Sequence, residues 1–320
     1  MIKHQSKLIF ILLVPLLLFG CFSSVDSSHL SVHMIDVGQG DSFLIQTPEG
    51  VTMLIDGGSP LYSDRVVSYL KRQRVSQIDY LVATHPHADH IGGLIAVMET
   101  FSVNQVILPT VTHDSRLYTS FMKAIKKSDA ETFRVRQTSR HSIDKDIAFK
   151  ILHTGVDYGS NLNNWSVVIR LDYEEMSFLF TGDLEAPAEK DLLNLFPVSQ
   201  LSAEVLKVGH HGSSTSTTEP FLSAVSPQVA LISSGENNAY GHPSDDVISR
   251  LEDKNIWIYR TDLQGNIVIY SDGQKVWSHQ APFNLGPVSS SGITTTHYCF
   301  FVNQSCLFIT YTVPFQKQAV

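Results

Sequence analysis

Cysteine is scarce in this 320-residue chain, which has only Cys21, Cys299 and Cys306. So few cysteines exclude a disulfide-dense scaffold, and any disulfide would have to join Cys299 to Cys306. Basic residues are also in deficit, since 31 acidic residues against 23 basic ones give a formal net charge of −8. The chain therefore lacks the overall positive field that marks many proteins bound to nucleic acid or anionic membranes.

Long apolar runs are missing after the first twenty residues. The run Leu8 to Phe19 follows two lysines and contains Pro15, which is typical of a secretory signal, with an uncleaved anchor as the alternative. It ends in Leu18-Phe19-Gly20-Cys21, which resembles the lipobox of bacterial lipoproteins; the alternative is a plain signal peptide. We expect a signal at 1–21, a lipid on Cys21 and a linker at 22–29, placing the protein at the cell surface or secreted.

Strand and helix patterns alternate from residue 30 to about residue 280 and predict one α/β domain. The hydrophobic content of 43% is ample for its core. Residues 281–320 break this style with a Ser/Thr/Gly stretch, and we assign them no function. An added strand or hairpin, a disordered tail and an aberrant terminus all remain open for this segment.

The stretch from Thr84 to Gly93 contains three histidines and one aspartate: His85, His87, Asp89 and His90. It follows the apolar run Ile78 to Ala83 and precedes a predicted helix, so it lies on a strand-to-helix turn. Imidazole nitrogens and a carboxylate suit zinc, manganese or iron. The sequence therefore predicts a metal site here; a polar loop of hydrogen-bonded histidines is the alternative.

Further candidate ligands follow other predicted strands. Asp183 follows the strand from Met176 to Phe180, and His210 and His211 follow the strand from Glu204 to Val208. Together with the histidine-rich turn they are numerous enough for two divalent ions. A water between two such ions loses its proton near neutral pH and becomes the nucleophile, so no serine or cysteine nucleophile is needed.

Two other residues are candidates for contacts with substrate. His242 lies in a long polar loop, where it can bind a phosphate or protonate a leaving group; the alternative is a His-Pro turn that stabilises the loop. Ser213 is a candidate substrate contact, although capping of the following helix is the simpler interpretation.

The motif His85-x-His87-x-Asp89-His90 resembles the signature of the metallo-β-lactamase superfamily. Five further segments resemble the ComEC-like hydrolases of that superfamily: Asp36 to Asp41, Asp56 to Gly58, Thr181 to Asp183, His210 to Ser213, and Tyr240 to Pro243. The resemblance covers about residues 30 to 280. It implies an αββα sandwich, in which two mixed β-sheets are flanked by helices and the metals lie where the edge loops meet.

The resemblance also implies a ligand set. His85 and His87 would bind the first ion, Asp89 and His90 the second, and Asp183 would bridge them. Either His210 or His211 would complete the second site, and we prefer His210 because it lies nearer the end of its strand. Asp89 and His242 are the expected catalytic residues.

One departure from the superfamily pattern concerns the first ion. Many members supply a third histidine where this chain has Asn163-Asn164-Trp165-Ser166. Water or Asn164 would then complete the site, and Asn164 is also a candidate substrate contact. We expect two divalent ions, zinc in the first instance, but a manganese preference or single-ion occupancy remains open.

The predicted function is an extracellular metal-dependent phosphodiesterase or nuclease, with DNA as the candidate substrate and a membrane tether through Cys21. One alternative is a hydrolase of a small ester such as cell-wall phosphocholine, which suits the acidic charge better than a polymer does. The other is a surface metal-binding protein without catalysis.

Overall fold

The computed structural model describes residues 28–284, 295–302 and 305–312. The predicted signal, the predicted lipidation site Cys21 and residues 22–27 of the predicted linker lie outside these ranges and stay predictions. Among the described residues, no helix combines the length and the apolar character that a membrane crossing would require.

The first half of the domain alternates strands with helices. Its strands are β1 Leu30–Met34, β2 Phe43–Gln46, β3 Thr52–Ile55, β4 Gln77–Val82, β5 Ser102–Pro109 and β6 Glu131–Val135. Its helices are α1 Ser63–Arg72, α2 Ala88–Ile91, α3 Leu94–Thr100 and α4 Arg116–Lys127, with a 3₁₀ turn at Pro60–Tyr62. The parallel pairing of β3, β4, β5 and β6 is the arrangement that helical crossovers produce.

The second half begins with an antiparallel meander and continues with parallel strands. Its strands are β7 Ser139–Asp144, β8 Ile147–Leu152, β9 Val168–Tyr173, β10 Met176–Phe180, β11 Val205–Lys207, β12 Val229–Ile232, β13 Trp257–Arg260, β14 Ile267–Ser271 and β15 Val276–Trp277. Its helices are α5 Ala186–Leu195, α6 Val198–Leu201, α7 Glu219–Val225, α8 Asp245–Asp253 and α9 Thr261–Gln264, with 3₁₀ turns at Asn163–Trp165 and Gly209–Gly212.

These strands form two mixed sheets that pack face to face. The first sheet has the order β15-β14-β1-β2-β3-β4-β5-β6, and the second has the order β13-β12-β11-β10-β9-β8-β7. One apolar core lies between the sheets, and a second and a third core lie under the outer helices of each half. The predicted αββα sandwich is confirmed.

Because side chains alternate along a strand, one strand can contribute to two different cores. In β10, Phe178 and Phe180 face the core between the sheets, whereas Leu179 faces the outer helices. In β11, Val205 faces the inter-sheet core and Leu206 the helices. The same alternation puts Lys207 on the inter-sheet side, at the end of β11 where the loops of both sheets meet.

The last described segment is a backbone hairpin that is separate from both sheets. Its strands, β16 Thr295–Val302 and β17 Ser305–Thr312, pair in antiparallel fashion. The register places Cys299 opposite Phe308 and Cys306 opposite Phe301, so the two cysteines are not cross-strand partners. A hairpin is one of the alternatives that the sequence left open for this segment.

Candidate metal centre

The histidine-rich turn starts where β4 ends, at the rim shared by the two sheets. Thr84 accepts a backbone hydrogen bond from Val167 N–H at 2.9 Å, which joins this turn to the second sheet. His85 is buried, with Nε2 2.9 Å from His87 Nδ1 and 3.8 Å from Asp183 Oδ2. The turn therefore brings two imidazoles to one point, as the sequence predicted for a strand-to-helix turn.

His90 lies on α2 at the centre of the site and is fully buried. Its Nε2 lies 3.1 Å from Asp183 Oδ2, and its Nδ1 lies 2.8 Å from Asp56 Oδ2. Asp56 also accepts hydrogen bonds from the backbone N–H and the hydroxyl of Thr84, at 2.8 and 2.6 Å. Asp56 thus fixes the direction in which the His90 ring presents Nε2, the support that metal-bound histidines commonly receive.

Four side chains from three separate segments of the chain converge on one point. Asp89, His90, Asp183 and His211 each offer a ligand atom, and these atoms all lie within 4.8 Å of one another. His211 Nε2 lies 3.3 Å from Asp183 Oδ2 and 3.4 Å from Asp89 Oδ2. The structure therefore brings together residues that are separated by more than a hundred positions in the sequence.

The turn after β11 assigns different surroundings to its two histidines. His210 and His211 both have left-handed backbone conformations, with φ of 48° and 55°. Such conformations are costly for residues with a Cβ and commonly mark functional sites. His211 is buried in the four-residue cluster, whereas the part-exposed His210 has its Nε2 3.9 Å from Asp183 Oδ2. The geometry thus favours His211 as the second-site ligand, against our sequence-based preference for His210.

The donor atoms of the cluster fit a divalent cation. The buried His211 Nε2 and Asp183 Oδ1 make no hydrogen bond, although buried polar atoms normally have a partner. Mixed nitrogen and oxygen donors suit zinc and manganese. His211 Nε2 therefore retains coordinating capacity in the interior, whereas Asp183 Oδ1 lies 3.5 Å from Lys207 Nζ.

The pKa shifts of the cluster also favour binding of a cation. Burial alone would raise the pKa of Asp183, but the neighbouring His211 and His90 hold it well below its usual range. Burial alone would lower the pKa of His90, yet the carboxylates of Asp183 and Asp56 raise it well above its usual range. Burial lowers the pKa of His85. The cluster therefore keeps its carboxylates ionised and attracts positive charge.

Asn164 and Ser213 have structural contacts. Asn164 Oδ1 accepts a hydrogen bond from the Glu185 N–H at 3.0 Å, which occupies the oxygen we expected at the first ion. Nearer to the histidines is Asn163, whose Nδ2 lies 3.5 Å from His210 Nε2. Ser213 Oγ lies 3.0 Å from Thr215 Oγ1 within a turn. Helix α7 begins only at Glu219, so Ser213 does not cap it.

His242 lies beside the cluster, on the long loop that follows β12. Its ring centroid is 5.5 Å from that of His210, and the exposed ring of Tyr240 stacks on its other side at 5.7 Å. Burial and the nearby His210 lower the pKa of His242 to about 4. Its Nδ1 is buried and makes no hydrogen bond. His242 is therefore a neutral side chain at pH 7 that faces the same side of the site as His210.

Two buried residues of the site were not recognised in the sequence. Lys207 Nζ lies 2.6 Å from Asp41 Oδ2, 2.6 Å from Gly182 O and 3.5 Å from Asp183 Oδ1. Asp41 Oδ1 in turn lies 3.3 Å from His211 Nδ1. A lysine at the end of the apolar strand Val205–Lys207 was the available signal, since lysine is rarely buried unless it is paired.

The sequence comparison decides the family. Residues 35–236 match the family model for the metallo-beta-lactamase superfamily. The chain belongs to this superfamily. The matched range contains every residue of the cluster, and members of the superfamily are generally metal-dependent hydrolases, so the predicted hydrolase class is confirmed.

Curated relatives narrow the resemblance to ComEC-like proteins, as the sequence motifs predicted. ComE operon protein 3 of Bacillus subtilis (strain 168) is 30% identical over 294 residues, which cover 86% of this chain and 37% of the relative. Competence protein ComA of Neisseria gonorrhoeae is 31% identical over 242 residues, covering 76% of this chain and 32% of the relative. The chain thus spans about a third of the length of these relatives.

Among solved structures, CmlA, a diiron beta-hydroxylase from Streptomyces venezuelae, superposes with a TM-score of 0.50 at 15% identity. The match covers 75% of this chain and 53% of CmlA. At this identity the likeness concerns the fold alone, and it agrees with the two-sheet architecture.

Proposed function

We propose that this chain is a metal-dependent phosphodiesterase that cleaves DNA outside the cytoplasm. The observation that carries the proposal is the convergence of Asp89, His90, Asp183 and His211 beside the His85–His87 pair. Similarity to ComE operon protein 3 and to competence protein ComA supports DNA as the proposed substrate. The location rests on residues 1–21, and labelling of Cys21 by a radioactive fatty acid tests it.

In this proposal the ligands divide between two ions. Asp89, His90 and His211 would hold the second ion and His85 and His87 the first, and Asp183 would contribute its carboxylate to the centre. Zinc is the proposed metal, and manganese is the alternative that the missing third histidine leaves open. Bound ions of this kind polarise a phosphate and activate water.

The other side chains of the site act on the substrate. His242 is neutral at pH 7 because of its lowered pKa, so its ring donates one N–H to a phosphate oxygen and carries no charge. His210 lies beside it and is held by Glu185 Oε1 at 3.4 Å from Nδ1. The two rings thus form one wall of the proposed phosphate-binding site.

The test combines metal loading with a substrate panel. Protein reloaded with zinc or manganese should hydrolyse DNA and bis-p-nitrophenyl phosphate. Asp183→Asn should lower both rates at least about a hundredfold, because even supporting residues around metals cost up to that much. Metal content measured on the same samples should fall in this variant.

The matched control is Asp129→Asn, because Asp129 is exposed and its left-handed backbone suits asparagine. This control should keep wild-type rates and metal content. If loaded wild-type protein leaves both substrates intact, the phosphodiesterase proposal is wrong. Hydrolysis of phosphocholine esters in that case would support the small-ester alternative, which the acidic net charge favours.

A further inference from the structure

Lys207 is a fully buried lysine directly beneath the candidate metal centre. Its side chain is 1% exposed, and its ammonium group donates to Asp41 Oδ2 and Gly182 O, both at 2.6 Å. It also lies 3.5 Å from Asp183 Oδ1, an oxygen that makes no hydrogen bond. A buried charge is strongly unfavourable unless it is paired, so this placement needs the surrounding carboxylates.

Asp41 extends the contact from Lys207 to the opposite side of the centre. Its Oδ1 lies 3.3 Å from His211 Nδ1, but the hydrogen bond of that nitrogen goes to Ser233 O at 2.9 Å. Its backbone N–H donates to Asp89 O at 3.2 Å. The Lys207–Asp41 pair therefore touches Asp183, His211 and the backbone of Asp89.

The Lys207–Asp41 pair also explains why a second cluster of buried acidic residues needs no metal ion. Asp41, Asp56 and His90 also place their ligand atoms within 4.8 Å of one another, as a cation site would. Lys207 already supplies a positive charge there, and Asp56 is occupied by Thr84 and His90. The ammonium group of Lys207 is therefore the cation of this inner group.

We propose that Lys207 and Asp41 form a positioning pair for the second metal ion: Asp41 holds the Lys207 ammonium group, and Lys207 fixes the Asp183 carboxylate. Lys207 also takes the place of a metal ion in the inner carboxylate group. The inference rests on the proposed metal centre. It assigns to the pair no direct contact with substrate.

The experiment measures metal binding and needs no substrate. Zinc affinities are obtained by competition with a chromophoric chelator, and visible spectra are recorded with Co²⁺. Lys207→Met should retain the first ion with an affinity within about threefold of wild type. It should bind the second ion about 10- to 100-fold more weakly, the effect typical of lost supporting contacts around a metal. The Co²⁺ spectrum should change accordingly.

The control is Lys150→Met. Lys150 lies on β8 of the same sheet and forms an ion pair with Asp172 at 3.6 Å, at a part-exposed position. Both ions should bind to this control as they do to wild type. The control separates loss of an ion pair in general from loss of this one.

Removing Lys207 alone leaves Asp41 buried without its partner, which can unfold the protein. Asp41→Asn and the double variant Lys207→Met with Asp41→Asn avoid that charge, and circular dichroism checks that they fold. Binding of both ions to these variants within about threefold of wild type, with an unchanged Co²⁺ spectrum, overturns the positioning role. Failure of wild-type protein to bind a second ion instead refutes the metal centre of the proposed function.

Discussion

His210 and His211 are adjacent in the chain, yet they have different surroundings because both residues adopt left-handed backbone conformations. That turn directs His211 into the interior, where Ser233 O accepts from its Nδ1 at 2.9 Å, and leaves His210 beside the opening. Distance from the strand end does not reveal this difference. Side-chain direction at a tight turn depends on φ and ψ, which residue type alone does not determine.

The burial of one histidine outside the metal centre, His33, predicts that the free energy of unfolding depends on pH. Burial on β1 lowers the pKa of His33 to about 4, and its ring nitrogens lie 2.9 Å from Tyr69 Oη and 3.0 Å from Ser31 Oγ. An unfolded histidine titrates near about 6.5, so between these values the unfolded chain binds the extra proton. The contribution of His33 is therefore present above pH 6.5 and is lost as the pH falls towards 4.

We expect His33→Gln to reduce the loss of unfolding free energy over this interval by up to about 3 kcal/mol. Urea unfolding of chelator-treated samples measures it, with chelator present so that metal release does not contribute. The exposed His279, changed to Gln, is the control. An identical pH dependence in wild type and His33→Gln would show that the buried ring does not contribute.

At the scale of elements, regular patterns were predicted well, whereas two edge strands with few buried residues were not. The amphipathic spacing from Leu117 to Lys127 predicts a helix, which forms as α4, and the segment from Ala148 to His153 predicts a strand, which forms as β8. Strands β6 and β7 were not predicted. They are edge strands with few buried residues, so they lack the apolar alternation that marks a half-buried strand.

The junction of α2 and α3 depends on a close backbone approach. Gly93 has an ordinary helical φ of −74°, but a Cβ there would lie 2.0 Å from Gly57 O. Gly57 follows Asp56, and its N–H donates to His90 O at 2.7 Å. A side chain at position 93 would therefore displace the turn that carries Asp56, the residue that orients His90.

We expect Gly93→Ala to lower the free energy of unfolding by about 2 to 3 kcal/mol through overpacking, although alanine favours helices. Zinc affinity should fall as well, because the Asp56–His90 contact shifts. Gly159→Ala is the control: its Cβ meets no atom within 4 Å, and its φ of +56° costs about 1 kcal/mol. If Gly93→Ala is no less stable than this control in urea unfolding, the turn is more adaptable than its geometry indicates.

The whole molecule depends on long-range pairing that local sequence patterns do not encode. Strands β14 and β15 follow the second sheet in the chain but belong to the first, where β14 pairs with β1, Leu30 opposite Ser271, and β15 pairs with β14. The segments from Asn266 to Tyr270 and from Lys275 to Ser278 predict both strands, but periodicity does not predict the sheet that they join. The αββα architecture was predictable because the motif His85 to His90 identifies a superfamily, and that information comes from resemblance.

The net charge of the whole molecule predicts how its binding to DNA depends on salt. At −8 the chain has an excess of acidic residues, so DNA binding must rely on a small number of local basic contacts and the metal centre. Even about three phosphate contacts make the binding of single-stranded DNA weaken roughly twentyfold between about 50 and 200 mM salt. We expect KM for single-stranded DNA to rise by about that factor. Hydrolysis of bis-p-nitrophenyl phosphate should change less than about twofold, because a single phosphate releases few counterions. A salt-independent KM for DNA would instead indicate that the polymer is not held along its backbone.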